Sequence, residues 1–160
     1  MGLDSEGKIQ NVKASIEKYI DDNLVTAAGM TVDWEGVPFE SSGVSVFVQP
    51  RIIGMANRDF HRQVTSGSTL GQTTQVLLNF NIFISPEQMP PRTNRHYQVR
   101  DKIAGYFYIG KQIALYDVGD WTSALQQMEV DEIVTDRVVP DPDYYQYNYT
   151  VGIRWLEKWK

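Results

Sequence analysis

The sequence contains no cysteine, and this absence removes several classes of site at once. Without thiols the chain cannot form a disulfide framework, a thiolate zinc site or a cysteine nucleophile. Histidine is nearly as scarce, and neither His61 nor His96 is accompanied by His, Cys or Asp at metal-ligand spacing. We therefore expect no metal, no cofactor and no enzymatic activity.

Long apolar runs and targeting segments are missing as well. No stretch approaches the roughly 20 consecutive apolar residues of a membrane span. The first residues lack the basic region and apolar core of a signal peptide, so we expect synthesis in the cytoplasm and no membrane partner.

Sharp catalytic motifs are also absent. Residues 67–71 are rich in Gly and Ser, but no Lys-Ser or Lys-Thr follows, so they do not match a phosphate loop. The acidic pairs Asp131/Glu132 and Asp141/Asp143 could bind a cation or act as acid and base, although Asp141-Pro142-Asp143 is more typical of a turn. A small enzyme or ligand-binding domain that uses His96 and the sheet face stays open as an alternative.

Charge is distributed in blocks along the 160 residues. Residues 1–49 carry a net charge of −5, residues 50–110 of +4, residues 111–143 of −6 and residues 144–160 of +2. Blocks of opposite sign suit a protein that sets one face against a copy of itself or a partner. Uneven solvation of an ordinary surface would give the same pattern.

Apolar residues recur at helical spacing in two segments. Residues 8–23 and 94–109 each present one apolar stripe, with Ser5 as the expected cap of the first helix, Thr93 or Asn94 as that of the second, and Gly110 ending the second. The first stripe consists of Ile9, Val12, Ile16, Tyr19 and Ile20, and the second of His96, Val99, Ile103, Tyr106 and Phe107.

Apolar residues alternate with polar ones in the remaining segments, which predicts strands at 30–35, 44–52, 75–84, 112–118, 126–139 and 145–155. Pro50 lacks an N–H group, so the second of these is expected at a sheet edge or with a bulge at that residue. The segment 126–139 is expected to be one strand with a bulge or two short strands. The order of elements predicts a single α+β domain over residues 1–160, with a mainly antiparallel sheet and two helices packed on one face.

The connection between the strands at 44–52 and 75–84 is about twenty residues long, which exceeds what a hairpin needs. We expect residues 54–74 to project as a loop, to be mobile alone and to order against a neighbouring subunit or partner. The side chains expected to make that contact are Arg58, Phe60, His61, Arg62, Thr69 and Gln72.

In its layout the whole chain resembles a tail terminator protein of long-tailed bacteriophages. The resemblance lies in the amphipathic helix at 8–23, the Val37-Pro38-Phe39 segment, the strand at 44–53 followed by a long polar loop, and the closing strand at 147–155. It also includes the strand FNIFISP (80–86) followed by the helix RHYQVRDKI (95–103).

The resemblance implies a structural role without catalysis. Such a protein forms a ring, with six subunits, on the head-proximal end of the tail tube, ends tube polymerisation and meets the neck or head-completion protein. Genomic DNA would pass through the lumen without specific binding, and an acidic segment facing the lumen would repel it. The protein would belong to the virion. Another neck or connector protein, or a tail tube subunit, is the alternative within the same class.

Overall fold

The two longest strands, β3 (Thr69–Ile84) and β6 (Tyr145–Trp159), lie side by side in the middle of the sheet in a computed structural model. They pair antiparallel from Leu70↔Trp159 to Ile84↔Tyr145 without a register shift. The structure describes residues 2–57, 63–66, 69–89 and 91–159, with backbone only at 56, 57, 63–66, 69 and 70.

The sheet has the strand order β1-β3-β6-β5-β4, and all its strand pairs are antiparallel. A further short strand, β2 (Gln63–Ser66), pairs with the beginning of β3. The other strands are β1 (Val46–Asn57), β4 (Gln112–Leu115) and β5 (Gln126–Val139). The predicted α+β class, with a mainly antiparallel sheet, is confirmed.

Both helices pack on one face of this sheet, as predicted. Helix α1 (Ile9–Ile20) continues as a π-helical segment (Asp21–Ala27), and α2 (Arg95–Ala104) follows β3. The core between helices and sheet contains the apolar residues that alternate along β3 and β6. Its largest fully buried side chains are Tyr149, Phe80, Phe107, Ile16, Ile20, Leu24, Leu78, Ile82, Ile84, Ile103, Ile113 and Leu115.

Buried polar side chains fix α1 to the segment after β4. Asn11 accepts a hydrogen bond from the Val118 backbone N–H at 3.1 Å, and Ser15 accepts one from the Tyr116 N–H at 2.9 Å. Both N–H groups follow the end of β4 and would otherwise lack a strand partner. The two side chains therefore supply the hydrogen-bond acceptors that these backbone groups need. This explains two polar residues on the buried side of an amphipathic helix.

The N-terminal residues pair with the last residues of β6, beyond Arg154, where the pairing with β5 ends. Asp4 donates its backbone N–H to Lys158 O at 3.1 Å, and Trp155 Nε1 donates to Glu6 O at 3.0 Å. A Cβ atom at Gly7 would lie 2.3 Å from Lys158 O, so only glycine permits this close approach. The predicted cap Ser5 is replaced by Asp4, which caps a short 3₁₀ turn (Ser5–Gly7) ahead of α1.

Several predicted boundaries are wrong. The segment 30–35 forms only an isolated bridge between Val32 and Val48, so it is not a strand. Helix α2 ends at Ala104 rather than 109, although Gly110 has the expected positive φ of 93°. Two other expectations are confirmed: β5 is one strand with two register shifts, and β1 is an edge strand, with its bulge at Ile53.

Truncation of Phe80 tests the position of the core. Phe80 is fully buried and packs against Phe107 with ring centroids 4.9 Å apart, so Phe80→Ala should lower the free energy of unfolding by about 3–5 kcal/mol. Tyr108→Ala removes an exposed ring and should change it by less than about 1 kcal/mol. Equal urea midpoints for the two variants would place Phe80 outside the core.

Candidate assembly surfaces

The outer side of β5 is open over most of its length. Strand β4 pairs with β5 only between Gln126 and Glu129, and the backbone of residues 110 and 111 bonds to Val130. Beyond that point, no described segment pairs with the outer side of residues 131–139, which we call the β5 edge. Open strands expose unpaired backbone groups that can pair with another chain.

Apolar side chains are exposed along this edge. Ile133, Val134 and Val138 all reach solvent, and Val138 is 44% exposed. Register shifts at Asp131 and Val134 bend the first half, which limits unregulated pairing there. The run from Thr135 to Val139 is regular, so it is the part best suited to accept a further strand.

A polar cluster holds α2 against the β5 edge. Arg100 Nε donates to Asp136 Oδ1 at 2.9 Å, the Tyr147 hydroxyl donates to the same oxygen at 2.5 Å, and the Arg100 guanidinium lies 5.3 Å from the Tyr149 ring centroid. The hydrogen bond from Arg100 lowers the pKa of Asp136, while burial and the bond to Asp136 raise the pKa of Tyr147 to about 12. Charge-assisted bonds therefore join α2 to the β5 edge.

The opposite edge of the sheet is the outer side of β1. Its first part is covered, because Asp33 donates its backbone N–H to Val48 O at 2.9 Å and Val48 donates to Thr31 O. Residues 51–57, which we call the β1 edge, have no strand partner on that side among the described residues. Ile53 and Met55 are exposed here, Ile53 to 59%.

The sheet face turned away from the helices carries a ladder of amide and hydroxyl groups. Asn148 Nδ2 donates to Asn79 Oδ1 at 2.7 Å and to Asn81 Oδ1 at 2.8 Å, and the Thr150 hydroxyl donates to Asn79 at 2.7 Å. Asn81 continues the ladder to Gln49 on β1 at 3.4 Å. Gln49 Nε2 in turn donates to Asp33 Oδ2 at 2.9 Å, so the ladder joins three strands of the sheet and ends on a carboxylate.

Two carboxylates from the acidic block lie beside that ladder. Gln75 Nε2 donates to Asp131 Oδ1 at 2.6 Å and to Glu132 Oε2 at 3.2 Å. A Cβ atom at Gly152 would lie 2.0 Å from Gln75 Nε2, so glycine keeps open the space that the amide occupies. The face turned away from the helices therefore has largely buried amides and hydroxyls in its middle and, toward β5, carboxylates together with Arg154, which pairs with Glu129.

Of the six residues predicted to contact a partner, the structure describes Thr69 and Gln72. Arg58, Phe60, His61 and Arg62 lie outside the described residues. Thr69 and Gln72 belong to β3, where they pair with Ser66 and Glu157, so the expected loop 54–74 is wrong for its described part. The missed signal is the Gly67-Ser68 pair between two β-branched runs, a sequence typical of a hairpin.

His96 is buried at the start of α2, at 7% exposure, and its ring centroid lies 4.3 Å from that of Tyr97. Burial lowers its pKa. Asp141 accepts hydrogen bonds from the Asp143 and Tyr144 N–H groups, which confirms the turn at that place. Within the described ranges, no group of three His, Asp or Glu could hold a metal ion, and no helix has the length and hydropathy needed to cross a membrane.

An open groove of about 560 Å³ lies beside α1. Trp34 and Trp121 lie in its wall together with Glu17, Lys18 and Asp22. Glu17 and Asp22 are already paired, with Lys13 at 2.7 Å and with Lys18 respectively. The groove is therefore a weaker candidate site than the two edges.

No protein-family model and no curated protein matches this chain. Nine chains of known structure do match. One of them superposes with a TM-score of 0.60 and 12% sequence identity over 92% of this chain and 94% of its own, and its name describes no function. At this identity the likeness shows a shared fold alone.

The Asp136 cluster predicts a pH dependence. A lowered pKa in the folded protein means that Asp136 stabilises the fold above its ordinary value of 3.8, and this contribution is lost as pH falls through the lower, folded pKa. The free energy of unfolding of Asp136→Asn should therefore lie below that of the parent at pH 7. The gap should shrink as pH falls from about 5 to about 2.

Urea unfolding at several pH values measures that gap. Asp143→Asn changes an exposed acid elsewhere and serves as the matched control. A gap that stays constant with pH, or that appears equally in the control, would contradict the assigned role of Asp136.

Proposed function

We propose that this chain is a non-enzymatic structural protein that assembles into a ring of six subunits. The ring caps the head-proximal end of a phage tail tube, ends its polymerisation and presents the surface to which the head is joined. The observation that carries the proposal is the pair of open strand edges on opposite sides of one sheet, each with exposed apolar residues.

Two different edges favour a closed ring over a simple dimer. A contact between unlike surfaces of identical subunits is heterologous, and it closes into a ring when the rotation per subunit is right. The β1 edge of one subunit would meet the β5 edge of the next. Ile53 and Met55 on one side and Val134 and Val138 on the other would leave solvent together.

Charge supports the same pairing. Strand β1 belongs to the block 50–110 with a net charge of +4, apart from its first four residues, and β5 belongs to the block 111–143 with a net charge of −6. Within the edges themselves, residues 131–139 carry three acids and one base, whereas the one charged residue of 51–57, Arg51, already pairs with Asp33. Charge therefore disfavours a contact between two β5 edges more than it attracts the β1 edge.

The phage assignment rests on the resemblance in layout, from helix α1 to strand β6. It names the partners as the tail tube protein on one side of the ring and the neck or head-completion protein on the other, within the virion. The carboxylates of Asp131 and Glu132 suit a lumen past which genomic DNA slides without specific binding, because they repel its phosphates.

Mass and symmetry separate this proposal from its alternatives. Six copies of 18.3 kDa give a particle of about 110 kDa with sixfold symmetry. A tube subunit would polymerise axially, and another connector would form a ring of different number. A small ligand-binding domain or enzyme would remain a monomer of 18.3 kDa, and that result would contradict the proposal.

Charge placed on each edge tests how the ring closes. Ile53→Glu and Val138→Glu should each give monomers, because each destroys one half of the heterologous contact. An equimolar mixture of the two variants should form dimers and nothing larger, since only one intact contact can form between them. Sedimentation velocity measures these species.

Val118→Glu is the matched control, because Val118 is 47% exposed but lies outside both edges. It should assemble as the parent does. Hexamers from either edge variant alone, or no dimer in their mixture, would show that subunits do not meet through these edges.

A further inference from the structure

Two tryptophan side chains flank the outer face of α1 and line the open groove beside it. Trp34 lies on the flank that carries Ile16 and Ile20, while Trp121 contacts Tyr116 on the other flank. The helix face between them is formed by residues three and four positions apart, with a small residue first: Ala14, Glu17, Lys18 and Asp21. The groove therefore has an aromatic wall on each side and a helix as its floor.

Both indole rings are held in place by the fold. Trp34 packs against the core. The Trp121 ring meets the Tyr116 ring edge-on, with centroids 5.7 Å apart, and Tyr116 donates its backbone N–H to Ser15 on α1. Trp121 is nevertheless 39% exposed, so part of its ring is open to solvent. Because the walls are already ordered, a ligand that enters the groove has little ordering cost to overcome.

The groove is acidic. Three acids line it, Glu17, Asp21 and Asp22, against one base, Lys18. Glu17 pairs with Lys13, and Asp22 pairs with Lys18. Asp21 forms no ion pair with any residue in the part of the chain that the structure describes. Carboxylates beside indole rings attract a cation, since each ring face is itself electron-rich.

Lys18 already places a cation at one wall. Its ammonium lies 6.0 Å from the Trp121 ring centroid, which is the outer limit of a cation–π contact. A planar guanidinium matches such a site better than an ammonium does, because it stacks on an aromatic ring and pairs with a carboxylate through two N–H groups at once. The chemistry of the groove therefore favours arginine over lysine as its ligand.

The backbone at one end of the groove is also unusual. Helix α1 continues as a π-helix from Asp21 to Ala27, and π-helical turns occur frequently at functional sites. The first two residues of this segment are the exposed acids Asp21 and Asp22, both of which line the groove. The irregular segment and the acidic end of the groove therefore coincide.

We propose that the groove between Trp34 and Trp121 binds an arginine-bearing segment of a partner protein, with the guanidinium against an indole ring and paired with Asp21. Because the groove is acidic, the segment that complements it is basic. In the proposed ring, copies of the chain meet through the two sheet edges, which leaves the outer face of α1 for a different protein. That choice of partner rests on the proposed function, whereas the site itself does not.

A short peptide tests the site on the full chain. The probe is an acetylated and amidated peptide with two arginines among glycines and serines, titrated into protein labelled with 5-fluorotryptophan. The chain has four tryptophans, so fluorine NMR gives one resonance for each, in a monomer and in a large ring alike. Trp34→Phe and Trp121→Phe assign the groove. Trp155, whose indole N–H donates to Glu6 O, is the internal reference.

The Trp34 and Trp121 resonances should shift in a saturable way, and that of Trp155 should not. The same peptide with citrulline in place of arginine keeps the shape without the charge, and it should not bind measurably. Asp21→Asn should weaken binding roughly two- to fivefold, while Asp143→Asn, an exposed acid elsewhere, should leave it unchanged. Equal shifts with both peptides, or equal affinity in the two Asn variants, would overturn the site.

Lys18 offers a test in the opposite direction. Lys18→Gln removes a like charge and frees both Asp22 and the face of Trp121, so it should tighten binding of the arginine peptide, roughly two- to fivefold. Lys102→Gln removes an exposed lysine from α2 and should change nothing. An affinity for the peptide that is the same in these two variants would contradict a cation bound in the groove.

Sedimentation velocity identifies the occupant. If the groove serves a different protein, saturating arginine peptide should leave the oligomeric state of the chain unchanged. Rings that dissociate with the arginine peptide, and not with the citrulline peptide, would show that a neighbouring copy occupies the groove and would overturn a different partner. In a chain that is monomeric throughout, the proposed function would fail, while saturable binding that requires the arginine charge would still support the site.

Discussion

The uninterrupted pairing of β3 with β6 is the constraint on which the rest of the structure depends. Over this register every second residue faces the helices and is apolar, from Val76 to Ile84 on β3. The residues between them, such as Asn79 and Asn81, build the polar ladder on the other face. A slip of one residue would place the amides in the core, so register, core and polar face are fixed together.

The same pairing decides where the sheet can grow. Because β3 and β6 occupy the centre, the two ends of the strand order are β1 on one side and the β4–β5 hairpin on the other. Short β4 leaves most of β5 uncovered, and the bridge at Val32 covers only the beginning of β1. Natural sheets usually protect such edges, so the two open edges with exposed Ile53 and Val138 are the feature from which the proposed ring is argued.

Sequence patterns predicted the core well, because burial acts on every second residue of a long strand and on one stripe of a helix. The alternation from Val76 to Ile84 and the helical stripe with Ile16 and Ile20 identified residues that are now found buried together. The alternation at 30–35 wrongly predicted a strand. A segment that only runs beside β1 and makes a single bridge at Val32 can show the same alternation of apolar and polar residues.

The candidate surfaces were harder to predict, because a strand edge is open only where no other segment of the chain pairs with it. The polar composition of 63–72 suggested a loop, yet backbone pairing does not require apolar side chains, and Gln72 lies in β3 opposite Glu157. The open β5 edge follows from the shortness of β4, which no local pattern specifies. The unpartnered buried nitrogen atoms of Arg95 and His96 become visible only when their surroundings are known.

Cysteine cross-linking tests the edge-to-edge ring most directly, because the native chain has no cysteine to interfere. A double variant with Ile53→Cys and Val134→Cys, treated with a short bismaleimide, should give a ladder of covalent species that ends at six subunits. Each single variant should give no cross-linked species above its background. A ladder that stops at two, dimers from a single variant, or no cross-linking in the double variant would contradict a ring closed through the β1 and β5 edges.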